Sequence, residues 1–209
     1  MNKKPFWRRV NRGFVVSMVL LAVVLVYVLI NQLMLIPERK EIDKLTDQFR
    51  QLMESTSVLS DEQLSSLQNE DAMQAEIDRL KKEVSALFDK DSGYVDNAVA
   101  YLTDNIRRQA ENIERIIKLD NRELVDHTSL IDQDVATSSV RYSYSVNGQY
   151  ADPVSGDNEE ISGEKRQLYI NLNFKKTNGN WKIFRISSAW WETLSGHGYG
   201  DRVIIEEVR

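Results

Sequence analysis

Cysteine is absent from this chain and histidine occurs twice, at His127 and His197. The absence of cysteine excludes disulfides, thiolate metal sites and cysteine nucleophiles. His197 lies in Ser195-Gly196-His197-Gly198-Tyr199-Gly200, with Asp201 following. A metal centre needs about three convergent ligands, and this loop offers two. Its glycines lack the Lys-Ser/Thr ending and the following helix of a phosphate loop. The segment therefore reads as a connection between two strands. No catalytic, cofactor-binding or metal-ligating residue is assigned, and the chain is read as a non-enzyme. The pair Trp190-Trp191 points instead to binding. Adjacent strand residues face opposite sides of a sheet, so one of the two can line a contact patch, where tryptophan is enriched. The alternative is one in the core and one beneath the 192–201 loop.

These residues are carried by a chain with a strongly biased start. Phe14 to Ile36 contains no charge, and its polar residues are Ser17, Asn31 and Gln32. At about 1.5 Å per residue it makes a helix of roughly 35 Å, against a hydrocarbon core of about 30 Å. Lys3, Lys4, Arg8, Arg9 and Arg12 precede it without an acid. The positive-inside tendency then gives a cytoplasmic tail (1–13), a transmembrane signal anchor (14–36) and an extracytoplasmic remainder at the cell membrane. A cleaved signal peptide is the competing reading. It would have a shorter apolar core and a small-residue exit, whereas here the exit is Met34-Leu35-Ile36-Pro37-Glu38.

Beyond the five basic residues of the tail, the remaining 22 face 32 acids, a net of about −10. That balance argues against nucleic acid as a partner, because phosphate neutralisation needs clustered Lys and Arg. No cofactor is expected.

A heptad pattern spans residues 37–90. The a positions are Ile42, Phe49, Thr56, Gln63, Glu70, Ile77 and Val84. The d positions are Leu45, Leu52, Leu59, Ser66, Met73, Leu80 and Leu87. The polar exceptions fall between 56 and 70. Such a stripe needs a partner, and the first reading is a homo- or heteromeric coiled-coil stalk, about 75 Å long if continuous. The second reading is two helices folded into a hairpin, with Ser60 as N-cap and Gln63 completing a capping box. A disordered polar middle is the third.

After a joint at Gly93, Val95, Ala98, Leu102, Ile106, Ile113 and Ile117 predict a helix over 94–119. Residues 120–134 are ambiguous, with a short helix around 123–127 as one option. Strands are predicted from the alternation at Val140–Val146, Leu168–Lys175, Asn180–Trp190 and Arg202–Val208. Residues 151–164 read as a loop, and Asn178-Gly179 as a hairpin turn. The fold class is α+β: a helix packed on a curved antiparallel sheet over 93–209.

The run Lys176-Thr177-Asn178-Gly179-Asn180-Trp181-Lys182-Ile183 resembles the late hairpin of the nuclear transport factor 2-like superfamily, whose cone-shaped domains pair a leading helix with a bent sheet. A cystatin-like unit is similar as well. Residues 120–134 depart from the family in leaving little room for its additional helices. Enzymes of that superfamily use an Asp or His as base and a Tyr or Asp as oxyanion donor. Asp126, Asp132, Asp134, Tyr142, Tyr144 and Tyr169 are of those types, and no dyad stands out among them. Anchor plus outer domain resembles, in architecture, the bitopic assembly component of type IV secretion and conjugation machines.

The expected function is thus that of a membrane-anchored assembly protein of an envelope complex, acting through protein–protein contacts. A division or wall-synthesis scaffold and a ligand-binding or sensory ectodomain are the alternatives. Candidate contact residues are Trp190, Trp191, Leu45, Phe49, Leu52, Ile77, Leu80, Val84 and Leu87. The expected partners are lipid through 14–36, another chain through 38–88, and other envelope proteins.

Overall fold

The apolar run and the first half of the heptad segment belong to one helix, α1, Arg12–Ser57, with Pro37 inside it. The computed structural model describes residues 12–111, 114–151 and 158–193. The chain divides into two units, residues 1–40 and 41–209. In the first, nearly all the apolar side chains from Phe14 to Ile36 are exposed, by 42% to 71%. Among the described residues this is the one helix long and apolar enough to cross a membrane.

The second unit begins well before the expected boundary at residue 93. After α1 come α2 (Asp61–Leu67), α3 (Glu70–Leu87) and α4 (Val95–Ala110). Four strands follow: β1 (Glu114–Asp132), β2 (Val135–Ala151), β3 (Asn158–Thr177) and β4 (Asn180–Thr193). They form one antiparallel sheet in the order β1-β2-β3-β4. The α+β class stands, but the stalk does not. Leu45, Phe49, Leu52, Leu80, Val84 and Leu87 are buried in the same core as the sheet, and Ile77 packs partly buried against it. The amphipathic stripe faces the core of its own chain and not a second copy, and the segment forms three helices where the hairpin reading had two.

Local signals explain the break. Ser60 Oγ accepts from the Gln63 N–H at 3.2 Å, and Gln63 Oε1 accepts from the Ser60 N–H at 2.9 Å, the expected capping box. Leu64, off the heptad seam, is the buried residue of α2, while the d-position Ser66 is exposed. Asn69 caps α3 by accepting from the Asp71 and Ala72 N–H groups. Phe88 then leaves the helix in an extended conformation, bridges Ile183 of β4 in parallel, and packs edge-on against Phe49 at 6.1 Å.

The expected helix over 94–119 ends at Ala110. Ala98, Leu102 and Ile106 are buried on it as expected. Ile117 lies on β1, more than half exposed, and Ile113 is outside the described residues. Side chains four apart share a face in both a helix and a strand, so this spacing could not separate the two. The possible helix at 123–127 is also strand. β1 is an edge strand, exposed on nearly every side chain from Arg122 to Ser129, so it shows no apolar alternation. Extra residues at Ile117, Asn121-Arg122 and Val125 interrupt its pairing, bending and twisting the strand. Of the expected loop 151–164, residues 158–164 belong to β3. The Arg202–Val208 strand and His197 lie outside the described residues.

Asn178 and Gly179 make the expected hairpin, at φ 53° and 81°. The inner face of β3 is Leu168, Ile170, Leu172 and Phe174. Opposite them β4 presents Trp191, Ala189, Ile186 and Ile183, because extra residues at Ser187 and Phe184 each shift the alternation. Strict alternation along β4 would put Ile186 on the face opposite to Ile183.

Gly148 of β2 is held to glycine by its neighbour. A Cβ there would lie 2.2 Å from the Arg115 carbonyl oxygen of β1. That atom is paired backbone and cannot rotate away, so Gly148→Ala is expected to cost about 3 kcal/mol. A lowered denaturation midpoint at unchanged slope checks this.

Candidate functional site

Two clusters hold side chains able to do chemistry or binding, one on each face of the sheet. Strand alternation and register build the outer one. Asp126 pairs with Arg141, Arg141 with Tyr169, and Tyr169 with Trp190, a single row across all four strands. The Tyr169 and Trp190 rings stack at 4.9 Å and 12°. The Arg141 guanidinium sits 5.7 Å from the Tyr169 ring centre. The Tyr169 hydroxyl donates to Gln167 Oε1 at 2.6 Å. Arg141, Tyr169 and Trp190 are all half-buried, each with part of its surface open to solvent. Trp, Tyr and Arg are the residue types that dominate binding energy at interfaces.

The inner cluster joins α1 to β2. Arg50 is almost fully buried and bonds Asp47 through Nε at 2.8 Å and Nη2 at 2.6 Å. Its Nη1 bonds Glu54 Oε1, which also accepts from the Tyr144 hydroxyl. Arg50 lies 5.5 Å from the Tyr142 ring centre. Burial opposes the Arg50 charge, but hydrogen bonds with Glu54 and then Asp47 outweigh it and raise its pKa. Burial first, then the bond to Glu54, pushes the Tyr144 hydroxyl well above its ordinary value. It therefore stays a donor. A carboxylate beside a tyrosine is the form of an acid–base pair, yet Glu54 Oε1 is already held by two donors. Grooves of about 550 and 430 Å³ border α1, and neither is lined by Arg50, Glu54 or Tyr144. The arrangement clasps α1 to the sheet.

Trp190 and Trp191 lie on opposite faces, as their adjacency requires. Trp191 donates from Nε1 to Ser57 Oγ at 3.2 Å and meets Tyr144 edge-on at 5.2 Å. It belongs to the α1–sheet junction. Asp126 sits on the outer row, and Asp132 and Asp134 flank the β1–β2 turn, so none of them joins the inner tyrosines. His127 Nε2 lies 3.1 Å from Asp43 Oδ1. No group of three ligating side chains occurs among the described residues. Sequence reasoning missed Asp47, Arg50 and Glu54 because α1 was placed outside the domain. Their i,i+3 and i,i+4 spacing was the available signal.

No family model matches the chain. No curated protein matches it either. Solved structures give distant likenesses. An NTF2-like protein with a cystatin-like fold from Novosphingobium aromaticivorans is 17% identical, covering 82% of this chain and 92% of that one, with a TM-score of 0.39. A candidate calcium/calmodulin dependent protein kinase II association domain from Xanthomonas campestris is 15% identical over 56% of this chain and 78% of that one, TM-score 0.30. The intermembrane space region of the chloroplast protein ARC6 is 13% identical over 54% and 76%, TM-score 0.29. At such distances the functional reading rests on this chain's own residues.

Proposed function

We propose that this protein is a membrane-anchored assembly protein whose folded domain works outside the membrane through protein–protein contacts. The observation that carries the reading is the outer row Arg141–Tyr169–Trp190, which joins three interface-prone side chains on a rigid sheet. The basic residues before Phe14 support a cytoplasmic N-terminus. The inner face is occupied by Ile42, Phe49 and Met53 of α1, each at most 1% exposed, which favours a contact surface over an interior ligand pocket. The partners fit an envelope complex, with a conjugation or secretion apparatus as the first candidate and a division or wall-synthesis scaffold as the second.

A photo-crosslinker at Gln167, beside the row, tests this in the full-length protein in its native membranes. Trp190→Ala should weaken capture of the partner roughly thirtyfold, corresponding to about 2 kcal/mol, with circular dichroism unchanged. Undiminished capture by the folded variant would sink the proposal.

A further inference from the structure

Three apolar side chains remain exposed at the end of the outer face where β1 turns into β2 and β3 into β4. They are Leu130, Val135 and Phe184, at 67%, 55% and 39%. The register gathers them. Val135 pairs with Lys175, and Lys175 with Lys182. In the next row Leu130 pairs with Thr137, Thr137 with Asn173, and Asn173 with Arg185. Phe184 is the extra residue between those two rows on β4, with Lys175 Nζ 5.4 Å from its ring centre. Lys182 reaches back to the Ala86 carbonyl at 2.5 Å. From Lys165 to Trp191 the chain has no acid. Asp132 and Asp134 at the β1–β2 turn form the rim, so the apolar trio supplies more of the attraction than net charge does.

Chain connectivity says what surface lies near. Glu41 Oε1 accepts from the Trp181 N–H at 3.2 Å, beside Lys182. Glu41 follows the end of the apolar run, Ile36, by five positions. Five residues span about 8 Å as helix and at most about 18 Å extended. On the reading of residues 14–36 as a membrane span, this end of the sheet is leashed at headgroup level.

We propose that this patch docks on the anionic lipid surface beside its own anchor. Leu130, Val135 and Phe184 enter the headgroup layer, and Lys175 pairs with lipid phosphate. An apolar wedge flanked by cations is the chemistry of an interfacial contact.

The absence of cysteine makes the test clean. Single variants Leu130→Cys, Val135→Cys, Ser143→Cys and Val24→Cys of the full chain are labelled with a nitrobenzoxadiazole dye. They are reconstituted into vesicles of phosphatidylcholine, alone or equimolar with phosphatidylglycerol. Doxyl-lipid quenching should be at least about twofold stronger at 130 and 135 than at 143, and greater with phosphatidylglycerol. Lys175→Gln should weaken the phosphatidylglycerol-dependent docking about fivefold. Equal iodide quenching at 130, 135 and 143 would overturn docking, as would shielding from iodide without lipid quenching, the mark of a protein partner or second copy. The label at 24 separates the two failures. If it is not quenched by lipid, the membrane span itself is wrong. If it is quenched while 130 and 135 are not, docking alone falls.

Discussion

Phe49→Ala in the full-length protein is expected to lower the unfolding free energy by about 3–5 kcal/mol. Phe49 is 1% exposed, lies on the buried face of α1 and meets Phe88 edge-on. Alanine there removes the ring's burial and leaves a cavity between α1 and the turn after α3, and close-packed neighbours refill such a void only in part. The effect distinguishes a core residue from a coiled-coil residue. A seam between chains would make the denaturation midpoint depend on protein concentration. A core within one chain makes it independent. The control is Ser66→Ala, which occupies a d position of the same heptad frame but is exposed, and should change stability by less than about 0.5 kcal/mol. A concentration-dependent midpoint in the wild type, abolished by Phe49→Ala, would restore the seam.

Arg50→Met should be nearly as costly, by about 2–4 kcal/mol in thermal or denaturant unfolding. Removing one partner of a buried ion pair leaves the other charge uncompensated. Here the partners are Glu54 and Asp47, with side chains 22% and 46% exposed. Water reaches both, so the upper end of the usual 3–5 kcal/mol is discounted. Glu54→Gln in the same chain should recover part of the loss. It removes the orphaned charge while keeping an acceptor for the Tyr144 hydroxyl. The resulting double-mutant cycle should give a coupling of about 1–3 kcal/mol. Strict additivity would show that Arg50 acts through packing alone.

The capping box at Ser60 and Gln63 and the Asn178-Gly179 turn could be read directly, because each depends on residues at most three apart. β1 could not. Its face from Arg122 to Ser129 meets solvent on both sides, and a strand with no buried face leaves no period-two signature. The two bulges in β4 were equally silent, yet they decide that Ile183, Ile186, Ala189 and Trp191 all point inward. The heptad residues were expected to be covered by another chain, and in the structure their own sheet and helices cover them. Their spacing is the same whether that cover is another helix or a sheet.

By itself the sequence determined the apolar run, the charge on either side of it, the exclusion of cysteine chemistry and the tight turn; it offered the Ser60 cap within one of its readings and not the Asn69 cap. These follow from composition or from neighbours along the chain. The tertiary structure decided which surface each stripe covers, and therefore which residues are free to bind. Glu54 and Tyr144 are 90 residues apart in sequence, and Ser57 and Trp191 are 134 apart. Whether such groups meet depends on how α1 is laid across the sheet, which no local spacing records. That placement put the seam residues in the core and left Arg141, Tyr169 and Trp190 on the outer face of the sheet.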